Sequence, residues 1–172
     1  MLSRLELLID LLHSAPDAAL ATVSSTLDGY PFASVVPFAT DANHRPVFLI
    51  SGLAEHTRNL TANPRASLML AHAMGGGEMA RVSIMGEVAP MDADELFVRR
   101  YLRYHRHAER FLQLGDFRFY RLEPMRALTI GGFAKAGWRE AVCLRRLRFR
   151  WAMKQPYSDK LMGNAMHYRH AA

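Results

Sequence analysis

Short, β-prone apolar runs separated by turn-forming residues dominate the chain. Ala19–Ser24 (ALATVS) and Phe32–Phe38 (FASVVPF) flank Asp28-Gly29, a dipeptide that supplies the positive φ angles of a hairpin turn. A third run, Val47–Ile50, is continuously apolar and follows the turn-forming cluster Asp41–His44. This spacing favours antiparallel strands that are neighbours in a sheet, and it argues against a doubly wound parallel sheet.

Helical signals occur at three places between these runs. The first is near the start of the chain, where apolar residues recur at the spacing of one helix face: Leu5, Leu8, Ile9 and Leu12. The second is the segment 55–62, which ends before the helix stop signal Asn63-Pro64. Asp92 is the expected N-cap of a third helix, which runs to about Tyr104 with Leu96, Phe97, Tyr101 and Leu102 on one side. The remaining strands are predicted at Ala66–Ala71, Ala80–Val88, Phe117–Leu122 and Ala127–Ile130. About six short strands with flanking helices predict a mainly β fold, a small closed or split antiparallel barrel.

Composition limits the class of protein and the compartment. The 172 residues are 50% hydrophobic and 22% charged, as expected for one globular domain. Cys143 is the only cysteine, so no internal disulfide can form and a reducing, cytoplasmic location is expected. Charged residues interrupt every apolar stretch before it reaches the roughly 18 residues of a spanning helix, so membrane insertion is not expected.

The net charge of +6 favours an anionic partner, and two segments could provide its site. The first is Arg139–Arg150, in which five arginines alternate with apolar residues. Such a segment could bind nucleic acid or an anionic surface, be simply solvated, or dock on a second subunit. A net charge of +6 is modest for nucleic-acid binding, and the aromatic residues form no obvious stacking platform.

The second segment follows the third apolar run. Ser51-Gly52 leads into a predicted helix start, where free backbone N–H groups favour an anion, and His56, Thr57 and Arg58 add the donor types that a phosphate requires. Capping by Thr57, with His56 and Arg58 solvated, explains the same residues, and the residues alone favour this second interpretation. Strand alternation places Arg81 with Ser83 and Met85 on one face, where Arg81 could bind a ligand or form an ion pair.

Other catalytic signatures are absent from the sequence. His105 and His107 stand two residues apart near a helix end with no carboxylate or cysteine cluster, so a metal site is not expected. No nucleophile motif, P-loop or dinucleotide fingerprint occurs.

Six segments, read in order, carry a family resemblance. They are GYPFASVVPF, VFLIS, AEHTRNLTANPRASL, ARVSIMGEV, LGDFRFYRLEPMRA and IGGFAKAGW, and together they cover roughly residues 5–138. In this order they resemble the FMN-binding split-barrel proteins related to pyridoxamine 5′-phosphate oxidase, and within them the haem-utilisation (HugZ-like) branch. The chain has Glu55-His56 where the oxidases place an Arg-Lys pair, and Gly137 where the branch has a histidine.

The resemblance implies a six-stranded, Greek-key split barrel at residues 1–138, followed by a basic tail at 139–172. It implies a homodimer with FMN at the subunit interface. The cofactor would contact a strand at Ser34, Val35 and Val36, a neighbouring strand at Leu49, Ile50 and Ser51, the phosphate-binding residues His56, Thr57 and Arg58, and the polar strand residue Arg81.

Three functions are compatible with these observations. The principal expectation is an FMN-dependent oxidoreductase acting on a small molecule, in which the isoalloxazine ring carries the redox step. The alternative is a haem-binding or haem-degrading protein, for which eight histidines and ten methionines offer possible axial ligands. A nucleic-acid-binding module that depends on the basic tail comes last.

Overall fold

The computed structural model describes residues 4–73, 79–131 and 136–140. The elements in chain order are α1 (Arg4–Ser14), β1 (Asp17–Val23), β2 (Pro31–Pro37), β3 (Ala39–Thr40), β4 (Pro46–Ser51), α2 (Glu55–Ala62), β5 (Arg65–Ala73), β6 (Met79–Pro90), α3 (Glu95–Tyr104), a 3₁₀ turn (Arg106–Ala108), α4 (Glu109–Leu112), β7 (Phe117–Gly131) and β8 (Ala136–Glu140). The glycine run at residues 75–77, residues 132–135 of the IGGFAKAGW segment and residues 141–172 of the basic tail lie outside these residues. The division at residue 138 therefore stays a prediction, although β8 continues past it to Glu140.

The strands form a single antiparallel sheet in the order β2-β1-β5-β6-β7-β4-β3, with β8 paired to β7. The predicted mainly β class with flanking helices is confirmed. The sheet has eight strands in the described part of the chain rather than about six, because β3 is only two residues long and β8 follows a stretch where sequence patterning is weak.

A single long strand stands where the sequence predicted two. Separate strands were predicted at Phe117–Leu122 and Ala127–Ile130, on either side of Pro124, but β7 is continuous through this proline. The irregularity is a bulge in β7 beside Pro124: Met85 pairs with Arg126 and Gly86 with Pro124, so Met125 is an extra residue in β7. A β-carbon on Gly86 would overlap the carbonyl oxygen of Glu123, so glycine permits the close approach of the two strands.

The main core lies between the curled sheet and α1. Leu8, Ile9 and Leu12 bury the apolar side of α1, as its periodicity predicted, and Leu11 is buried with them. They pack with the inward residues of the strands, among them Leu20, Leu68, Leu70, Val82, Ile84 and Leu122. The alternation predicted for β6 is confirmed, since Val82 and Ile84 are inward while Arg81, Ser83 and Met85 face away.

A second, smaller core lies on the opposite side of the sheet. Phe97 and Tyr101 of α3 pack there against residues of β3, β4 and β7. Asp94, and not the predicted Asp92, caps α3 by accepting a hydrogen bond from the backbone N–H of Phe97 at 2.7 Å. Leu96 was expected on the packed side of the helix but is 79% exposed.

Candidate functional site

The middle of β2 and the first turn of α2 meet at one predicted pair of residues. Ser34 of β2 lies beside His56 in the first turn of α2, with Ser34 Oγ 3.1 Å from His56 Nδ1. The other ring nitrogen, Nε2, is buried and has no partner among the described residues. Burial also lowers the pKa of His56, because the charged imidazolium loses hydration. An acceptor atom supplied by a ligand would complete the hydrogen bonding of this ring.

Thr57 has a different partner from the one expected. Its hydroxyl donates to the carbonyl oxygen of Ser51 at 2.6 Å, and its side chain is buried. Ser51 Oγ in turn donates to Asp116 Oδ2 at 2.5 Å. These bonds attach α2 to the end of β4, so the hydroxyl proton of Thr57 is already engaged within the protein. Any contact of Thr57 or Ser51 with a cofactor stays a prediction.

Arg58 is exposed and already has an anionic partner. Its guanidinium lies 2.8 Å from Glu55 Oε2, and Thr26 donates a hydrogen bond to the other oxygen of Glu55. A ligand phosphate would therefore have to compete with Glu55 for Arg58. Because the pair is mainly exposed, its strength is modest.

The two predicted cofactor strands differ in what they can present to a ligand. Leu49 and Ile50 are buried, so only their backbone groups are available. Val35 is 73% exposed, whereas Val36 is buried on the other face of β2. The side chains of Ser34 and Val36 lie on the opposite face of β2 from that of Val35, and contact of this strand with a cofactor stays a prediction.

Arg81 lies away from this corner. It is exposed on β6, opposite Ala71 of β5 and Ile130 of β7. Three strand spacings separate β6 from β2, roughly 14 Å along the sheet. Arg81 also faces away from the main core, whereas Ser34 is on the inner side with Leu20. The structure thus brings Ser34 and His56 together but leaves Arg81 on the opposite face.

The face that carries Arg81 is largely apolar and uncovered. The helices α3 and α4 cover it only over β3, β4 and the start of β7. The uncovered part, called the outer face below, consists of two cross-strand rows formed by Val35, Ala19, Met69, Ser83, Leu128 and Trp138, and by Ala33, Ala21, Ser67, Met85 and Arg126. A flat surface of small and apolar side chains with an arginine beside it suits an apolar ligand or another protein surface.

Sequence reasoning missed two residues that shape the site. Asn59 is fully buried in α2, where it accepts hydrogen bonds from Ser25 and donates one to Thr22. Tyr101 reaches from α3 to both predicted cofactor strands, since its hydroxyl donates to Pro37 O and accepts from Leu49 N, each at 3.3 Å. An asparagine inside a helix is a weak signal of such a bond, because its helix propensity is low. Nothing in the sequence pattern identifies the partners of Tyr101.

No group of three or more His, Cys, Asp or Glu residues that could hold a metal ion occurs in the part of the chain that the structure describes. No helix of that part is long and apolar enough to cross a membrane.

Comparison with known proteins gives one family match and several individual relatives. The model of the family described as "CREG, beta-barrel" matches residues 9–141. The chain is 36% identical to the chloroplastic haem oxygenase HOZ of Arabidopsis thaliana over 137 residues, covering 78% of this chain and 42% of that protein. It is 29% identical to haem oxygenase HutZ of Vibrio cholerae over 126 residues, covering 68% of this chain and 70% of that protein.

A solved structure has the same fold over most of the chain. The haem-binding protein of Mycobacterium smegmatis superposes with a TM-score of 0.75 at 26% identity, covering 85% of this chain and 61% of that one. The chain thus spans less than half of the Arabidopsis relative and under two thirds of this structure.

Proposed function

The chain belongs to the CREG β-barrel family, and from this membership and its uncovered apolar sheet we propose that it binds haem and supports its oxidative degradation. The observation that carries the proposal is the outer face, an open apolar surface with Arg81 exposed on it. The comparisons add support, because both curated relatives are haem oxygenases by name. They favour the haem hypothesis over the flavin oxidoreductase that was the principal expectation from the sequence.

The residues of the outer face fit the chemistry of haem. Ala19, Val35 and Met69 offer apolar contact to a flat macrocycle, and Arg81 offers a partner for a propionate. Met69, Met79 and Met85 are exposed there, and thioether sulfur is one of the ligands that proteins give to haem iron. When bound, haem would supply a redox-active iron, while the chain would hold the ring and shield one side from water.

FMN is the second candidate ligand, and His56 is the observation that favours it. Its buried, unpartnered Nε2 beside Ser34 is placed to donate to an anionic group such as a phosphate. This is the part of the site that the split-barrel resemblance implies for FMN. A relationship to the pyridoxamine 5′-phosphate oxidases and an oxidoreductase reaction on a small molecule belong to this second candidate.

The chain is proposed to act as a homodimer in the cytoplasm. A second copy that covers the outer face would remove exposed apolar side chains from water, with Val35 and Met69 among them. A bound ligand would then lie between the two copies, as the resemblance implies.

Haem titration of the purified chain tests the proposed function. We expect a Soret shift that saturates at micromolar haem. Arg81→Ala should weaken haem binding about tenfold or more, since a charge-assisted hydrogen bond contributes about 1.5–3 kcal/mol. Arg65→Ala, which removes an exposed arginine at the start of β5, serves as the matched control and should bind as the wild type does.

The titration also separates the two candidates. No spectral change with haem, together with yellow protein that releases FMN on heating, would replace haem by FMN. If haem binds, adding a reductant and oxygen should open the ring and release iron. Stable haem under those conditions would restrict the function to binding.

A further inference from the structure

A second part of the molecule carries several exposed arginines and has no part in the site described above. Arg99, Arg103, Arg106 and Arg110 follow one another at spacings of four, three and four residues along α3, the 3₁₀ turn and α4. We call these four residues the arginine stripe. All four side chains are exposed.

Most of the stripe has no anionic partner within the described part of the chain. Arg99 pairs with Glu95, but no carboxylate lies within ion-pair distance of Arg103, Arg106 or Arg110 there. Like charges three and four residues apart on a helix destabilise it slightly. The helix dipole favours Arg103 in the last turn of α3 and Arg110 in the four-residue α4, whereas Arg106 lies in the 3₁₀ turn between them. Helix stability therefore does not account for the whole stripe.

The surroundings of the stripe have the composition of an interface. Tyr104 is half-exposed beside Arg103, and the guanidinium of Arg110 lies 4.7 Å from the ring centre of Phe111. Arginine and tyrosine are enriched where proteins bind one another, because both combine apolar contact with polar groups.

A chain of packed rings joins this surface to the predicted cofactor strands. Exposed His107 lies 6.2 Å from His105 between ring centres, and His105 lies 4.7 Å from Tyr101. The hydroxyl of Tyr101 contacts Pro37 O at the end of β2 and Leu49 N in β4. The stripe is thus linked through packed rings to the ends of β4 and β2, and β2 also carries Val35 of the outer face.

We propose that the arginine stripe docks an acidic electron-carrier protein that reduces the bound haem. The inference rests on the proposed function, because oxidative degradation of haem by O₂ consumes electrons that an external donor has to provide. At each encounter the carrier would be oxidised by one electron and the haem-loaded chain reduced by one, with no bond made or broken. Surface carboxylates on the carrier would pair with Arg103, Arg106 and Arg110 and steer its approach.

Reduction of the haem-loaded chain by a plant-type [2Fe–2S] ferredoxin, an acidic protein, tests the proposal. At low salt the double variant Arg103→Glu/Arg106→Glu should slow this reduction roughly tenfold or more, and the steep salt dependence of the wild-type rate should disappear. Its haem affinity and its reduction by dithionite, which needs no docking, should be unchanged. The control Arg65→Glu/Arg139→Glu alters two exposed arginines elsewhere on the sheet and should behave as wild type.

Two further measurements keep the outcome decisive. The first uses poly-glutamate, which should inhibit reduction of the wild type by ferredoxin but not by dithionite. This tests the stripe even if the variant does not fold.

The second is ferredoxin binding to the haem-free chain, which should become weaker at higher salt and in the double variant. Failure of this binding overturns the docking surface, whereas failure of the haem titration overturns the proposed function separately. Unchanged reduction by ferredoxin alongside loss of duplex-DNA binding in the variant would assign the stripe to nucleic acid and overturn the proposal.

Discussion

Two histidines from different elements hold the end of α1 against the turn between β3 and β4. His13 Nε2 lies 2.8 Å from His44 Nδ1, and His13 Nδ1 lies 3.3 Å from Thr40 Oγ1. The pKa of His13 is lowered to about 4, mainly by burial and further by the nearby His44 and Arg100. The pKa of His44 is also lowered by burial and by Arg100, while Asp41 acts in the opposite direction. Both rings are therefore neutral at pH 7, and a neutral pair can share one hydrogen bond.

Stability should fall as the pH decreases below 6.5, because the unfolded chain binds protons that the folded histidine pair excludes. The folded pKa of His13 is below its unfolded value of 6.5, so the unfolded chain binds more protons as the pH decreases from 6.5 towards 4. The free energy of unfolding should decrease over this range, by on the order of 3 kcal/mol from His13 at most. Urea denaturation at several pH values checks this.

His13→Gln should flatten the dependence, and His72→Gln, at an exposed histidine of β5, should leave it unchanged. A His13→Gln variant with the full wild-type pH dependence would show that other groups cause it.

Each element of the fold depends on local signals to a different extent. The bounds of α2 agree with the prediction at both ends, since Asn63-Pro64 stops a helix through local sterics. The continuity of β7 was not predictable from its own residues, because the space for Pro124 is provided by Gly86 on the partner strand. Local chemistry was therefore sufficient for turns and helix ends, but insufficient where two strands adjust to each other.

Helix α3 offers a direct test of its own N-cap. Asp92 and Asp94 are both suitable capping residues by type, and only Asp94 accepts the hydrogen bond from Phe97 N. Asp94→Ala should lower the free energy of unfolding by about 1 kcal/mol, because a backbone N–H loses its acceptor. Asp92→Ala should change it by less than about 0.5 kcal/mol, as expected for a surface substitution. Equal losses in the two variants, measured by urea denaturation, would contradict this assignment.

At the scale of the whole molecule, the sequence predicted the mainly β fold and the faces of its strands, but not which part of the sheet is left uncovered. Alternation along β6 identified the face of Arg81 correctly, because side-chain direction follows directly from strand geometry. It could not show that α3 leaves this part of the sheet uncovered, or that Thr57 and Arg58 are engaged by Ser51 and Glu55. Those facts depend on packing between distant segments, which the order of residues along a strand does not encode.

The uncovered sheet predicts how the molecule associates. If a second copy covers the outer face, Met69→Glu places a charge in an apolar interface and should weaken the dimer by about tenfold or more, because the carboxylate loses hydration without a partner. Leu96→Glu is the matched control, since Leu96 is an exposed apolar residue of α3 outside that face. Sedimentation equilibrium of both variants should show dissociation only for Met69→Glu. Two results would contradict a dimer that covers the outer face: a wild type that sediments as a monomer at all concentrations, or equal dissociation of the two variants. The outer face would then bind its ligand without a second copy, because the apolar surface would be available to haem within one subunit.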